Sequence, residues 1–144
     1  MRSPSICALA AILLAQPTHA IAAGALAVGL PSDVARDGFT YGFSTDTPDE
    51  QAARADAMRS CQTTKDAAQD ANLRSLCSVV RTFSNQCIAV AMDPRSGTPG
   101  VGWAIAAQLK DAEAQALAQC RQTDGADKAE ACAVDNSGCD GGAK

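Results

Sequence analysis

Six cysteines beyond residue 22 fall into two sets of three: Cys61, Cys77, Cys87 and Cys120, Cys132, Cys139. Each set begins at the end of a similar alanine-rich helical stretch. Ala53 to Cys61 matches Ala112 to Cys120 at three alanines and the cysteine. An even number of thiols in so short a chain reads as a disulfide framework formed in an oxidising space. The chain therefore reads as a duplicated unit, each copy small enough to need covalent support.

The N-terminus fits that compartment. Arg2 is the only charge before Asp33, and Ile6 to Ala15 is an apolar run of ten residues, too short to span a bilayer. Thr18-His19-Ala20 and Ala20-Ile21-Ala22 both place small residues where a leader is cut. Residues 1–22 are thus expected to be a signal peptide cleaved after Ala20 or Ala22. The product would be secreted or periplasmic, without a membrane span. Cys7 and His19, the only histidine, would leave with the leader, and seven cysteines become six. Eleven Lys and Arg (twelve less Arg2) then face sixteen Asp and Glu, a net charge of −5. The charges are scattered, with no basic cluster to attract nucleic acid or anionic lipid.

Hydrophobic periodicity supplies the elements. Gly24 to Leu30 is an apolar strand, and Phe39-Thr40-Tyr41-Gly42-Phe43 alternates as a strand with one buried face. Thr47-Pro48-Asp49-Glu50 is a helix start, with Thr47 as N-cap and Glu50 closing a capping box. That helix runs to about Cys61, burying Ala53, Ala57 and Cys61. Gln62 to Leu73 is polar and reads as loop or short helix. Cys77 to Phe83 and Gln86 to Met92 read as a hairpin turning at Ser84-Asn85. Asp93 to Gly100 is a dense turn segment. Val101 to Ala107 is a strand whose Gly102-Trp103 parallels Gly42-Phe43. Lys110 to Arg121 is the second helix, Asp124 to Asp127 a turn, and Ala131 to Asp135 a short strand. The tail from Asn136 is Gly-rich, and residues 140–144 are expected to be flexible. The fold class is α+β. Two tandem strand-helix-strand repeats, about 39–92 and 101–139 within one domain of residues 23–139, would form a mostly antiparallel, disulfide-stapled sheet with both helices on one face.

These features resemble a family of small exported bacterial proteins, the domain of unknown function family number 4189. The carrying residues are Gly42-Phe43 before a helix ending in Cys61, then Cys77-Ser78-Val79-Val80 and Phe83-Ser84-Asn85-Gln86-Cys87-Ile88-Ala89. Gly102-Trp103, the helix to Cys120, and Ala131-Cys132-Ala133-Val134 complete the pattern. The likeness spans Gly24 to about Cys139. The chain departs from it in the long spacer between Cys61 and Cys77. The resemblance implies fold and export, and no activity.

Sequence alone leaves the cysteine connectivity open. The repeat points to Cys61-Cys77 and Cys120-Cys132 as equivalent bridges, leaving Cys87-Cys139 to join the halves. No Cys-x-x-Cys pair sets up a redox thiol, and no close ligand pairs suggest zinc, so neither a metal nor a cofactor is expected.

Catalytic machinery is equally hard to find. A chain without histidine beyond the leader cannot build Ser-His-Asp or Cys-His catalysis. Gly97 and Gly100 lack the Lys-Ser or Lys-Thr of a phosphate loop. Carboxylates remain: Asp46, Asp49 and Glu50 near the first helix, and Asp135 and Asp140 near the tail. Capping and solubility already account for their positions, and Asp135 to Asp140 reads as a Gly-rich turn. Candidate interface residues are Tyr41, Trp103, Arg81 and Arg95. Strand alternation favours core packing for the two aromatics, and solvation suits the two arginines. The expected function is a non-catalytic binding module of the bacterial envelope, an inhibitor or protective protein whose partner is a protein or envelope component. The alternatives are a small carboxylate-dependent glycan hydrolase and a structural envelope protein without a discrete ligand.

Overall fold

The computed structural model describes residues 22–125 and 127–144. Except for Ala22, the leader expected over residues 1–22 lies outside the described residues. The chain begins with β1 (Ala23–Gly29), then α1 (Val34–Asp37), β2 (Thr40–Thr47) and α2 (Glu50–Gln62). The spacer after Cys61 holds two short helices, α3 (Lys65–Gln69) and α4 (Ala71–Ser75), before β3 (Ser78–Phe83). There follow β4 (Cys87–Met92), β5 (Val101–Ala106), α5 (Leu109–Asp124), a single 3₁₀ turn at Ala129–Ala131, and β6 (Ala133–Cys139).

Several boundaries differ from the sequence reading. Helix α2 is capped by Asp49, whose carboxylate accepts a hydrogen bond from the Ala52 N–H at 2.8 Å, and not by Thr47. Thr47 closes β2 instead, its hydroxyl donating to the Ala23 carbonyl, so the strand claims it before the helix can. Helix α5 continues to Asp124 and ends at Gly125, whose φ of 89° is the positive angle that favours glycine there. The segment expected to fray also differs. Asn136 to Cys139 pairs with β4 as the end of β6, and Asp140 is fully buried.

The fold is α+β and antiparallel, but its strands divide into two three-stranded sheets, ordered β2-β1-β3 and β5-β4-β6. No hairpin forms at Ser84-Asn85. β3 pairs with β1, β4 pairs with β5 and β6, and the chain crosses between sheets at Asn85, a residue with φ of 51°. The cause is the apolar character of the central strands. All seven residues of β1 are buried, so both of its faces must be covered. On one face Ala23, Ala25 and Ala27 meet Ala53, Ala57 and Cys61 of α2. On the other, Leu26, Val28 and Phe83 pack against Ile88 and Val90 of β4. In the second sheet, Cys87, Ala89 and Ala91 meet Ala112, Ala116 and Cys120 of α5. The two sheets thus stack face to face with one helix outside each, and the helices do not share a face.

The registers define the repeat. Ala27 opposes Gly42 while Ala91 opposes Gly102, and Leu26 opposes Phe43 while Val90 opposes Trp103. Irregularities between Leu26 and Ala27 and between Val90 and Ala91 fall at equivalent places. The structural repeat is therefore strand-strand-helix-strand, running from β1 to β3 and from β4 to β6. Each copy begins one strand earlier than the helix match alone reveals.

The structure pairs Cys61 with Cys77, Cys120 with Cys132, and Cys87 with Cys139. The last bridge does not join the halves. It ties the start of β4 to the end of β6 within the second sheet, at directly opposed positions. Register equivalence puts Ala23 and Ser84 at the corresponding places in the first half, which has no such bridge.

The helices sit close because the strand beneath each carries a glycine. A Cβ at Gly42 would overlap backbone atoms of Ser60 and Cys61, and one at Gly102 those of Ala116 and Cys120. Gly42→Ala and Gly102→Ala are each expected to cost about 3 kcal/mol in urea unfolding, as overpacking against backbone does. Removing the 52-residue bridge with Cys87→Ala and Cys139→Ala together is expected to cost about 4 kcal/mol, against about 3 kcal/mol for the 12-residue bridge.

Candidate functional site

The connection from β1 to β2 and the connection from β4 to β5 line a common cleft of about 520 Å³. Phe39, at the end of the first connection, is the centre of an aromatic row in this region. Its ring stacks on Tyr41 at 5.8 Å and on Trp103 at 6.2 Å, the second pair within 9° of parallel. Phe39 thereby joins an aromatic of the first sheet to one of the second, all three rings half-buried. A second groove of about 790 Å³ opens beside Trp103, lined by the apolar Leu30, Pro31, Val34, Pro99 and Val101 and by the polar Ser32, Asp33, Gln119, Gln122 and Thr123. Leu30 is 47% exposed there. The indole plane is fixed from behind by Phe39, and the Trp103 N–H of the backbone donates to the Gln119 side chain at 3.3 Å. The aromatics are thus partly core and partly groove wall.

Two of the expected interface residues, Tyr41 and Trp103, are brought together through Phe39, which the sequence places on the same alternating strand face as Tyr41 but not at an interface. Tyr41 is already engaged. Its hydroxyl donates to the Asp135 carboxylate, and burial, with that acceptor, raises the phenol well above its ordinary range. Arg81 lies exposed on β3 and lines neither the cleft nor the groove.

Arg95 is not simply solvated. Its guanidinium wraps the buried Asp93 carboxylate, with Nε at 2.9 and 3.0 Å and Nη2 at 2.5 Å, while the Arg95 backbone N–H donates at 2.9 Å. Nη2 also lies 3.7 Å from Asp124 and donates to the Lys128 carbonyl at 3.4 Å. Both aspartate side chains are fully buried, whereas Arg95 is about half exposed. Among the described residues, neither Asp124 carboxyl oxygen has a hydrogen-bond partner. Gly100 lets this happen, since a Cβ there would overlap the Asp124 carboxyl. The Arg95 hydrogen bonds hold Asp93 well below the carboxylate range against the opposing effect of burial. Burial first, and then the charge of Asp93, push Asp124 upward, with Arg95 and Lys128 opposing. Asp93, two residues before Arg95 in a turn, has a local signature. Asp124 has none, because its partners are distant in sequence.

The other carboxylates have structural partners. Asp140 is fully buried and accepts from the Asp46 N–H at 2.8 Å and the Asn85 N–H at 3.1 Å. Asp46 and Asn85 are the two non-glycine residues with positive φ among the described residues, at 55° and 51°. The Asp46 carboxylate in turn accepts from the Gly141 N–H at 2.8 Å. One carboxylate therefore fixes the irregularity near the end of β2 and the exit from β3, and ties the end of the second half to the first. Glu50 pairs with Arg54 at 3.6 Å on the surface. Among the described residues, no group of three His, Cys, Asp or Glu is placed to hold a metal ion. Asp140→Ala, which leaves the Asp46 and Asn85 N–H donors without their charged acceptor, is expected to cost about 3 kcal/mol. Asp140→Asn, which keeps one acceptor oxygen, should cost less by the same urea titration.

Comparison with known proteins adds the family and nothing finer. No curated protein and no solved structure shows significant similarity to the chain. The profile of one family, described as domain of unknown function (DUF4189), matches residues 23–139, the span from the first strand of the first sheet to the last strand of the second. The chain belongs to the DUF4189 family.

Proposed function

We propose that this protein is an exported, non-catalytic interaction module of the bacterial cell envelope, which takes a partner protein into the groove beside Trp103. The observation that carries the reading is the groove itself. An anchored aromatic and five apolar residues line it, and Ser32, Asp33, Thr123 and the two glutamines supply its polar margin. That is the composition of an interface core with a polar margin. An apolar or aromatic side chain of the partner would fill it. The structural engagement of Asp46, Asp135 and Asp140 supports a non-catalytic role, because a glycan hydrolase needs two carboxylates facing substrate across a cleft. Three disulfides and the leader-like N-terminus support export. Among the described residues, no helix is long and apolar enough to cross a membrane.

The test uses the full chain expressed in a bacterium and recovered from the envelope. Export predicts a processed N-terminus at Ile21 or Ala23 and no free thiols. Immobilised protein is then exposed in parallel to envelope protein extract and to purified peptidoglycan sacculi. A protein captured from extract, remade pure, should bind the wild type and bind Trp103→Ala about 30-fold more weakly, the effect of losing a central aromatic anchor. Capture that is indifferent to Trp103→Ala removes the groove from the proposal. Retention by sacculi alone replaces the protein partner with glycan.

A further inference from the structure

The Asp93-Arg95-Asp124 cluster lies next to the groove and has no part in recognition as proposed above. Two carboxylates are buried side by side, and one guanidinium faces both, 2.5 Å from Asp93 and 3.7 Å from Asp124. Asp93 takes four hydrogen bonds from Arg95, whereas Asp124 receives none from the described residues. Burying a carboxylate in its charged form without a donor, beside a second charged carboxylate, is strongly unfavourable. Holding a proton relieves both problems, because a protonated carboxyl donates a hydrogen bond and carries no charge. Asp93 offers the acceptor.

We propose that Asp93 and Asp124 share a single proton, and that this proton is a pH-sensitive latch holding the β4–β5 connection in the position that shapes the groove beside Trp103. The mechanical link is short. Asp93 opens the connection and Gly100 closes it, the Asp93 N–H donating to the Gly100 carbonyl at 2.9 Å. Gly100 is pressed against the Asp124 carboxyl. The next residue, Val101, is held to α5 by Thr123, its N–H donating at 2.9 Å and its carbonyl accepting at 2.8 Å. Pro99 and Val101 are groove wall, and Trp103 follows two residues on. Whatever moves Gly100 therefore moves the wall of the groove.

The charged groups facing Asp124 are Asp93 and Arg95 from the β4–β5 connection and Lys128 from the segment after α5. The raised position of Asp124 fixes the sign. Its stabilising contribution is complete while it is protonated and is lost as pH rises through its folded-state value. Asp93, held low by Arg95, contributes in the opposite sense and loses its contribution only in strong acid. The latch is closed between those limits and opens on the alkaline side. Its effect on recognition rests on the groove being the binding surface, in which case partner capture weakens as pH rises.

Trp103 is the only tryptophan, so its fluorescence reads the groove wall directly. In the intact protein its emission should follow one proton, with a midpoint above the ordinary aspartate range. Asp124→Asn, whose amide donates to Asp93 as the protonated acid does, should keep the acid-side spectrum and show no such transition. Asp93→Asn removes the neighbouring negative charge and should move the midpoint to lower pH. Carbon-13 NMR of the Asp124 carboxyl in the wild type, which needs no variant to fold, should give the same midpoint. An Asp124 carboxyl that titrates in the ordinary range, or emission that shifts equally in Asp124→Asn, overturns the latch. The raised Asp124 titration, found together with capture indifferent to Trp103→Ala, leaves the latch standing and removes the groove as the binding site. A flat titration with Trp103-dependent capture does the reverse.

Discussion

Burial of both faces of the two central strands organises this molecule. A strand with one apolar face needs one covering layer, whereas β1 and β4 need two. Each sheet supplies one cover through its own helix. The remaining face, carrying Leu26 and Val28 or Ile88 and Val90, is covered only when the two sheets meet. The four-layer stack follows, and so does the interdependence of the halves. Neither copy of the repeat closes its own core, which is why duplication in one chain is useful to this fold.

Alanine shapes the outer layers. Helix faces of Ala53, Ala57 and Cys61, and of Ala112, Ala116 and Cys120, bury little area per residue, but they allow the helix to approach until Gly42 and Gly102 meet its backbone. Close contact takes the place of bulk, and a disulfide fixes the C-terminal end of each helix to the strand that follows. A core with these properties tolerates little enlargement.

The halves are most informative where they differ. Trp103 stands where the first half has Phe43, and Val101 where it has Tyr41. The tyrosine binds Asp135 and walls a smaller cleft of about 420 Å³, whereas on the second side, where valine stands, the groove of about 790 Å³ opens beside Trp103. Cys87 and Cys139 replace Ala23 and Ser84, adding a bridge next to Asp140. The buried Asp93-Asp124 pair belongs to the second half as well. The distinctive chemistry thus gathers on one copy of a repeated scaffold.

Local pattern made much of this legible. The helix periods, the alanine-cysteine match and the alternation of β2 are properties of short segments, and so the α+β class and the two copies could be read from sequence. Thr47 was misread because its strand hydrogen bond to Ala23 spans 24 residues and outcompetes a local capping signal. The hairpin at Ser84-Asn85 was misread for a related reason. Adjacent strands and a two-residue turn are local facts, but β1 and β6 compete for the same strand edges from far away in the chain. Asp140 stands out in sequence only as a tail carboxylate and Phe39 only as part of the alternating strand, while Asp124 carries no signal, since each acts on residues that only folding brings near. The sequence by itself determined the elements, the duplication and the cysteine framework, which depend on spacing along the chain. Only the tertiary structure decided that there are two sheets, that a groove opens beside Trp103, and that two carboxylates are buried together, because those depend on which distant surfaces exclude water from each other.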